Sequence, residues 1–281
     1  MSNRKDFAEL EDQDIEIQVF LEAVFLKYGY DFRNYSRAHM KRRILQRLSL
    51  SGIHSVSEMQ HNVLYDKNFF GSILSDFSIN VTEMFRDPSF FEAVRKEVIP
   101  VLKTYPHIRI WHAGCSTGEE VYSMAILLKE EGLYERTQIY ATDFNEAVLQ
   151  KAKDGIYPID LIKDFTYNYQ KAGGTASFSD YYMANYDSVI LEQSLRKKII
   201  FAQHNLVTDG VFGEMHMIIC RNVLIYFNRE LQSKVTKLFY ESLCGGCFLC
   251  LGSKETLKFN SNSDRFDAIA EKEKIFKKKQ F

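Results

Sequence analysis

The chain has 281 residues, a formal net charge of −1 and a hydrophobic fraction of 46%. This composition indicates a well-cored globular protein, and the balanced charge provides no global field for nucleic acid or anionic lipid. The polar, acidic N-terminus does not resemble a signal peptide, and no apolar run approaches the ~20 residues of a transmembrane helix. Five cysteines, an odd number, favour free thiols in a reducing compartment. We therefore expect a cytoplasmic protein.

Residues 1–78 are predicted to form an all-helical N-terminal domain, because apolar residues recur at helical spacing and no strand pattern intervenes. The predicted helices are Ile15 to near Gly29, Tyr35 to Leu50 closed by Gly52, a third opened by a capping box of Ser55 and Glu58, and Lys67 to Phe77.

The second of these helices is strongly basic, and no acidic residue lies between Phe32 and Ser57. Its cations are candidates for binding an acidic partner, namely Arg37, Lys41, Arg42, Arg43 and Arg47. A solvated helix face has the same composition. The basic run by itself favours neither interpretation.

The stretch Ile108–Leu128 is the most informative part of the chain. It predicts a buried strand, a tight turn bracketed by Gly114 and Gly118, and a helix, which together form the first crossover of a nucleotide-binding α/β sheet. The third glycine of the dinucleotide fingerprint is missing, and Glu119 and Glu120 open the helix, where they would repel a pyrophosphate. The same carboxylates suit S-adenosylmethionine, which carries a sulfonium and an ammonium but no phosphate.

A second strand, Gln138 to Phe144, carries an acidic residue at its end. Asp143 lies about 25 residues beyond Gly118, where an acidic side chain can accept hydrogen bonds from ribose hydroxyls. It is equally suited to cap the following helix, and Asn145 is a second candidate for either role.

The remaining pattern predicts further strands and helices of the same sheet. They are a helix begun by Asp87 as cap and Pro88 and running to near Leu102, a helix Glu146 to Lys153, a core strand Ile199 to Leu206, a central parallel strand Met215 to Cys220, a helix Arg229 to Cys244, a turn at Gly245-Gly246, a strand Cys247 to Leu251, and a closing pair of strands within 266–281. Residues of about 157–198 break this rhythm with dense aromatics and some alternation. They predict an inserted subdomain with strand content, whose edges suit either peptide binding by strand addition or simple packing.

Three cysteines at C-x2-C-x2-C spacing, Cys244, Cys247 and Cys250, invite a metal-site interpretation. Cys247 and Cys250 lie within one apolar strand, where their side chains point to opposite faces. We therefore expect small buried thiols and no metal.

Six segments, in this order and spacing, resemble the bacterial chemotaxis receptor methyltransferases of the CheR family. They are NVTEMFRDPSFF, IWHAGCSTGEEVYSMAILL, YATDFNEAVLQKAKDGIY, HNL, ICRNVLIYFN and LCGGCFLCLGSKETL. The resemblance covers nearly the whole chain. It implies an α/β fold: a Rossmann-like methyltransferase sheet over 79–281, an all-helical N-terminal domain over 1–78 and a small inserted β-subdomain at about 157–198.

The resemblance also assigns site residues. By it, the cofactor S-adenosylmethionine would contact Asn80, Thr82, Arg86, Glu120, Asp143, Asn205, Leu206, Arg221 and Asn222. Arg86 and Tyr226 would border the methyl-transfer site. The sequence departs from the family at Val121, usually proline, and Met84, usually phenylalanine, and residues 165–198 match least well.

The implied activity is methyl transfer from S-adenosylmethionine to the γ-carboxylates of receptor glutamates, with S-adenosylhomocysteine as product. This esterification serves sensory adaptation in signal transduction. A glutamate with a pKa of ~4.3 is ionised at neutral pH, so no general base is required. The expected partner is the cytoplasmic helical bundle of chemoreceptors, and we expect a monomer without nucleic acid, membrane insertion or metal. The alternatives are a signalling adaptor that binds the cofactor without catalysis, or an RNA methyltransferase.

Overall fold

The computed structural model describes residues 11–78, 82–258 and 262–280. The helices are α1 (Asp12–Tyr28), α2 (Arg37–Ser51), α3 (Val56–Tyr65), α4 (Lys67–Phe77), α5 (Pro88–Ala93), α6 (Ile99–Leu102), α7 (Glu119–Glu130), α8 (Glu146–Asp154), α9 (Ile162–Lys171) and α10 (Arg229–Ser242). The strands are β1 (Ile108–Ala113), β2 (Thr137–Asp143), β3 (Ile156–Pro158), β4 (Tyr182–Asn185), β5 (Ser188–Leu191), β6 (Ile199–Gln203), β7 (Met215–Cys220), β8 (Leu243–Leu251), β9 (Phe266–Ala270) and β10 (Ile275–Lys278).

The chain divides into two compact units. One unit comprises Met1–Ile79 with Tyr226–Leu231, and the other comprises Asn80–Ile225 with Gln232–Phe281. In the described part of the chain, no helix combines the length and apolarity needed to cross a bilayer.

The first unit contains the four predicted N-terminal helices. Gly29 and Gly52 end α1 and α2 in the left-handed conformation, as their positions indicated. The hydroxyl of Ser55 accepts the N–H of Glu58 at 3.1 Å, so the predicted cap is confirmed. The Glu58 carboxylate, however, reaches the N–H of His54 at 3.0 Å, one residue before the cap.

Residues Tyr226–Leu231 belong to this helical unit, although the sequence placed them in the second domain. Phe227 forms an antiparallel bridge with Tyr35. The N–H of Ser36 donates to the carbonyl of Tyr226 at 2.7 Å. The segment is therefore held by backbone hydrogen bonds just before α2 begins.

The second unit is built on a seven-stranded sheet of order β6-β2-β1-β7-β8-β10-β9. The first five strands of that order are parallel, and β10 pairs antiparallel with both β8 and β9. Every residue of β7 is buried, as its unbroken apolar run predicted. The chain continues from β1 to β2 on one side of β1, and it returns from β6 to β7 on the other side, so a ligand crevice is expected at the carboxyl ends of these strands.

Two predicted boundaries in this sheet are wrong. The strand from Ile199 ends at Gln203 and lies at the sheet edge, where Ile200 is 46% exposed, because no further strand covers it. The pair Gly245-Gly246 lies inside β8 and does not form a turn, and the preceding helix ends at Ser242. Gly246 has a φ of +75°, and the register with β7 shifts there, so the glycines form a bulge within a continuing strand.

The inserted subdomain contains a small antiparallel sheet of order β3-β5-β4. It also contains α9, which the sequence did not predict. Phe165 and Tyr169 are four residues apart and both are buried, so they form the apolar face of this helix. Aromatic residues suit strands and helices alike, and at Phe165 and Tyr169 the helix buries them.

Candidate active site

The candidate site lies at the carboxyl ends of β1, β2 and β7, where the strand order reverses. The predicted glycine turn follows β1, with φ of +81° at Gly114 and +93° at Gly118. A Cβ at Gly114 would lie 2.6 Å from Cγ2 of Val223, and one at Gly118 would lie 2.9 Å from Cβ of Ala152. The turn therefore packs against the loop after β7 and against α8 so closely that only glycine fits.

Asp143 ends β2 and faces this turn. Its carboxylate accepts the N–H of Ser116 and the N–H of Asn145, both at 3.0 Å. Burial raises the pKa of Asp143. The side chain of Asn145 accepts the N–H of Ala147 at 2.9 Å and caps α8. The question left open by the sequence is thus answered: Asn145 is the cap, and Asp143 is directed to the glycine turn.

Glu119 and Glu120 are adjacent but differ in their surroundings. Oε2 of Glu120 pairs with Nη1 of Arg221 at 2.7 Å, and its Oε1 lies 3.2 Å from Nδ1 of His112. Burial raises the pKa of Glu120, but Arg221 and His112 outweigh that effect and hold the pKa below its usual range.

Glu119 is 5% exposed, and its carboxylate accepts the hydroxyl of Thr117 at 2.7 and 2.9 Å. Burial raises the pKa of Glu119, as it does for Asp143. Neither carboxylate forms an ion pair with any described residue. The family resemblance named Glu120, yet Glu119 is the carboxylate at the start of α7 that lacks a cation.

Arg221, directly after β7, joins three segments of the chain. Its side chain is 2% exposed and pairs with Glu120 and, at 2.5 Å, with Asp87. Nη1 also donates to the carbonyl of Arg86 at 3.3 Å, and the guanidinium lies 4.2 Å from the centroid of the Phe90 ring. Paired carboxylates and a stacked ring are the surroundings that make a buried guanidinium tolerable.

The role predicted for Asp87 is wrong. Helix α5 begins at Pro88 as expected, but Asp87 has a φ of +56° and its side chain caps no N–H group. Its carboxylate pairs instead with Arg221. A charged hydrogen bond to a buried guanidinium is stronger than one to a neutral N–H, so the ion pair prevails.

The loop after β7 is held by a residue that sequence reasoning missed. Asn222 has a φ of +61°, and the N–H groups of Asn222, Val223 and Ile225 donate to the carboxylate of Glu255 at 3.2, 2.9 and 3.3 Å. Glu255 is 4% exposed. The only signal for it in the sequence was an acidic residue just beyond an apolar strand.

Three of the remaining cofactor candidates, Arg86, Asn205 and Leu206, lie at the same edge of the sheet. Asn80 falls outside the described residues, and Thr82 and Arg86 are half-buried. The N–H of His204 donates to the carbonyl of Asp143 at 3.2 Å, which places Asn205 and Leu206 just beyond β2. Leu206 is buried, and Oδ1 of Asn205 accepts the N–H of Val207 at 3.0 Å.

The other candidates belong to the helical unit. Tyr226 is half-buried, and its ring meets that of His39 edge to face at 5.2 Å. Arg37 and Lys41 each pair with Asp14 at 3.1 Å, and Arg47 pairs with Asp76.

Arg42 and Arg43 have no carboxylate partner among the described residues. Arg42 is exposed, and its Nη2 lies 3.4 Å from Nδ1 of His39. Burial and these two arginines lower the pKa of His39. The basic face is therefore partly neutralised within the unit, and its unbalanced charge is concentrated at Arg42 and Arg43.

The chemistry of the crevice fits the expected cofactor. Glu119 and Asp143 are buried carboxylates without a cation, and both have raised pKa values because of burial. A bound cation and bound hydroxyl donors would stabilise them, whereas a phosphate would be repelled.

Comparison with known proteins gives a consistent result. A family model described as "CheR methyltransferase, SAM binding domain" matches residues 80–275, and one described as "CheR methyltransferase, all-alpha domain" matches residues 15–78. A Pseudomonas putida protein named "Putative methyltransferase Cher3" is 53% identical over 265 residues, covering 94% of this chain and 97% of that protein. A "Chemotaxis protein methyltransferase" of Listeria monocytogenes is 30% identical, covering 88% of this chain and 92% of that one.

Proposed function

The chain belongs to the CheR family of S-adenosylmethionine-dependent methyltransferases, and from that premise we propose that it esterifies glutamate side chains of chemoreceptors. The acceptor would be the γ-carboxylate of glutamates in the receptor's cytoplasmic helical bundle. The protein would act in the cytoplasm, as a monomer, in sensory adaptation.

The observation that carries the proposal is the pair of buried carboxylates without a cation, Glu119 and Asp143, beside a turn that only glycine fits. Burying a carboxylate without a cation is costly, and such groups concentrate at functional sites. Here they favour a positively charged ligand with hydroxyl groups.

When bound, S-adenosylmethionine supplies a methyl group on a positively charged sulfur. We assign Asp143 to the ribose hydroxyls, Asn205 and the Leu206 backbone to the adenine edge, and Glu120 to the ammonium end. Thr82, Asn80, Arg221 and Asn222 complete the set. Arg221 fixes the carboxylate of Glu120 through their ion pair at 2.7 Å.

The reaction needs little further machinery. The acceptor glutamate is already ionised at neutral pH, so the protein has to orient it and exclude water. Arg86 would grip either the carboxylate of the cofactor or the incoming glutamate, and Tyr226 would donate a hydrogen bond near the reacting atoms. Replacing Arg86 with alanine is then expected to abolish transfer while leaving the fold intact.

The basic helix provides a docking surface for an acidic partner. Arg37, Lys41 and Arg47 are paired within the unit, so the attraction would come chiefly from Arg42 and Arg43. Charges of this kind mainly increase the association rate, and salt weakens them.

The test is methyl transfer to membranes that contain chemoreceptors, from cells lacking their own methyltransferases. With donor labelled in the methyl group, we expect label in the receptor band that is released as methanol by alkali, because glutamate methyl esters are alkali-labile. Label that is found in RNA and is not released as methanol by alkali would identify an RNA methyltransferase instead. Binding of the donor without any transfer would indicate an adaptor.

A further inference from the structure

Glu255 is a buried carboxylate to which neither the sequence motifs nor the family comparison assigns a role. It is 4% exposed and lies 33 residues from Asn222, beyond the end of β8. Its Oε1 accepts the N–H groups of Val223 and Ile225, and its Oε2 accepts those of Asn222 and Gly252. Four backbone donors thus converge on one side chain.

These donors form an anion-binding concavity of the kind made by successive backbone N–H groups when one residue is left-handed. Asn222 supplies that conformation with a φ of +61°. Asparagine tolerates this region better than most residues, but the conformation still requires support from its surroundings. Glu255 supplies that support by filling the concavity with a carboxylate of the protein itself.

Two residues at the start of this loop, Arg221 and Asn222, are candidates for contact with the cofactor. The guanidinium of Arg221 is fixed by Glu120 and Asp87, so its position is already set by two ion pairs. The side-chain amide of Asn222 makes no hydrogen bond to any described residue. It is therefore available to a ligand, provided that the backbone of Asn222 is held in place.

We propose that Glu255 is a positioning residue that holds the backbone of Asn222–Ile225 so that the side-chain amide of Asn222 meets the cofactor beside Arg221. This inference rests on the proposed assignment of those two residues to S-adenosylmethionine. Glu255 itself touches backbone, not substrate.

Gly252 provides a second way to disturb the same contact. A Cβ at this position would lie 2.8 Å from the backbone nitrogen of Asn222 and 2.9 Å from Oε2 of Glu255. Its φ lies outside the left-handed region, so an alanine would adopt the backbone conformation and displace the loop. The φ of Gly245 also lies outside the left-handed region, and a Cβ there would have its nearest neighbour at 3.6 Å, which is an ordinary contact.

The test compares Glu255→Gln with Glu130→Gln, both in the full chain. Glutamine keeps one acceptor oxygen and turns an amide NH2 toward backbone donors, so two of the four hydrogen bonds at position 255 are lost. Glu130 is a matched control: its side chain is 4% exposed, it accepts from Tyr169, Tyr181, Arg95 and the N–H of Thr175, and it lies at the far end of α7.

For Glu255→Gln we expect binding of S-adenosylhomocysteine, measured by calorimetry, to weaken by about tenfold or more. We also expect faster hydrogen exchange in the peptide covering 221–226, without any ligand present. Glu130→Gln is expected to change neither quantity, even where it lowers the melting temperature. Gly252→Ala is expected to reproduce the effect of Glu255→Gln, and Gly245→Ala is not, which keeps the test decisive if Glu255→Gln folds poorly.

Unchanged affinity in folded Glu255→Gln and Gly252→Ala would overturn the positioning role, as would an equal loss of affinity in Glu130→Gln. If the wild-type protein itself bound no S-adenosylhomocysteine, the cofactor assignment would fail instead, so the two failures are distinguishable.

Discussion

The crevice of the sheet unit and the basic helix of the helical unit both pair arginines with carboxylates, but at opposite extremes of burial. The side chain of Arg221 is 2% exposed and is held by Glu120 and Asp87. The side chain of Arg37 is 58% exposed and pairs with Asp14. Exposed pairs contribute little to stability and are screened by salt, whereas breaking a buried pair leaves an uncompensated charge.

The same residue types therefore serve different ends in the two regions. In the crevice, charge fixes geometry, since each partner of Arg221 comes from a different part of the chain. On α2, charge is available to an external partner, with Arg42 and Arg43 unbalanced by any described carboxylate. The effects of substitutions in the two regions are expected to differ in magnitude and in their dependence on salt.

The largest difference is expected for the substitution of arginine by methionine. Arg221→Met leaves Glu120 and Asp87 without their cation and is expected to lower the free energy of unfolding by about 3–5 kcal/mol. Arg37→Met removes an exposed pair and is expected to cost less than about 1 kcal/mol. Urea denaturation of the two variants measures both values, and similar losses would contradict the distinction between the two regions.

Replacing Asp143 by asparagine sharpens the assignment of the crevice to the cofactor. Losing a charged acceptor for ribose hydroxyls is expected to weaken binding of S-adenosylhomocysteine by about 10- to 100-fold. Calorimetry measures the change, with Asp76→Asn in the helical unit as control. An affinity within about twofold of the wild type would remove Asp143 from the ribose site.

The basic helix should affect the receptor and not the cofactor. Reversing Arg42 and Arg43 to glutamate is expected to slow receptor methylation about tenfold at low ionic strength. The difference between the rates of the variant and the wild type should narrow as salt is added. Arg42→Glu alone, at an exposed position, is expected to give a smaller effect of the same kind. Lys272→Glu, an exposed charge reversal in the other unit, is the control. If the Arg42 and Arg43 variants lost cofactor binding as well as receptor methylation, the loss would indicate misfolding.

The smallest effect concerns the pH dependence of stability at Glu119. Because burial raises its pKa above the usual 4.5, the folded state binds this proton more tightly than the unfolded state. Its contribution to stability therefore declines as the pH rises through the raised pKa. Glu119→Gln removes that titration, so its stability relative to the wild type should be greater near about pH 7.5 than near about pH 4. If the difference in stability between Glu119→Gln and the wild type does not vary with pH, the charge of Glu119 does not destabilise the folded protein.

Local patterns sufficed for most of the fold. Periodicity and glycine stops located the four N-terminal helices, β1, β7 and α7, because each signal lies within the element that it predicts. Burial of Phe165 and Tyr169 in α9 was missed, because aromatic residues suit strands and helices alike.

The site was predicted less completely, for a physical reason. The position of Asp143 at the end of a strand made it a candidate, and the family resemblance named Glu120 of the adjacent pair Glu119-Glu120. The pairing of Arg221 with Asp87, 134 residues away, and the cradling of Glu255 by a loop 33 residues away depend on tertiary contacts. No local pattern records such contacts, and they decide which carboxylates have a cation.

The central claim is that the crevice beside Gly114–Gly118 binds the methyl donor through buried carboxylates. Calorimetric titration of the full chain with S-adenosylhomocysteine, alongside Asp143→Asn, tests it most directly. We expect the wild type to bind one equivalent and the variant to form a clearly weaker complex. Absence of binding to folded wild-type protein, or equal binding by both, would contradict it.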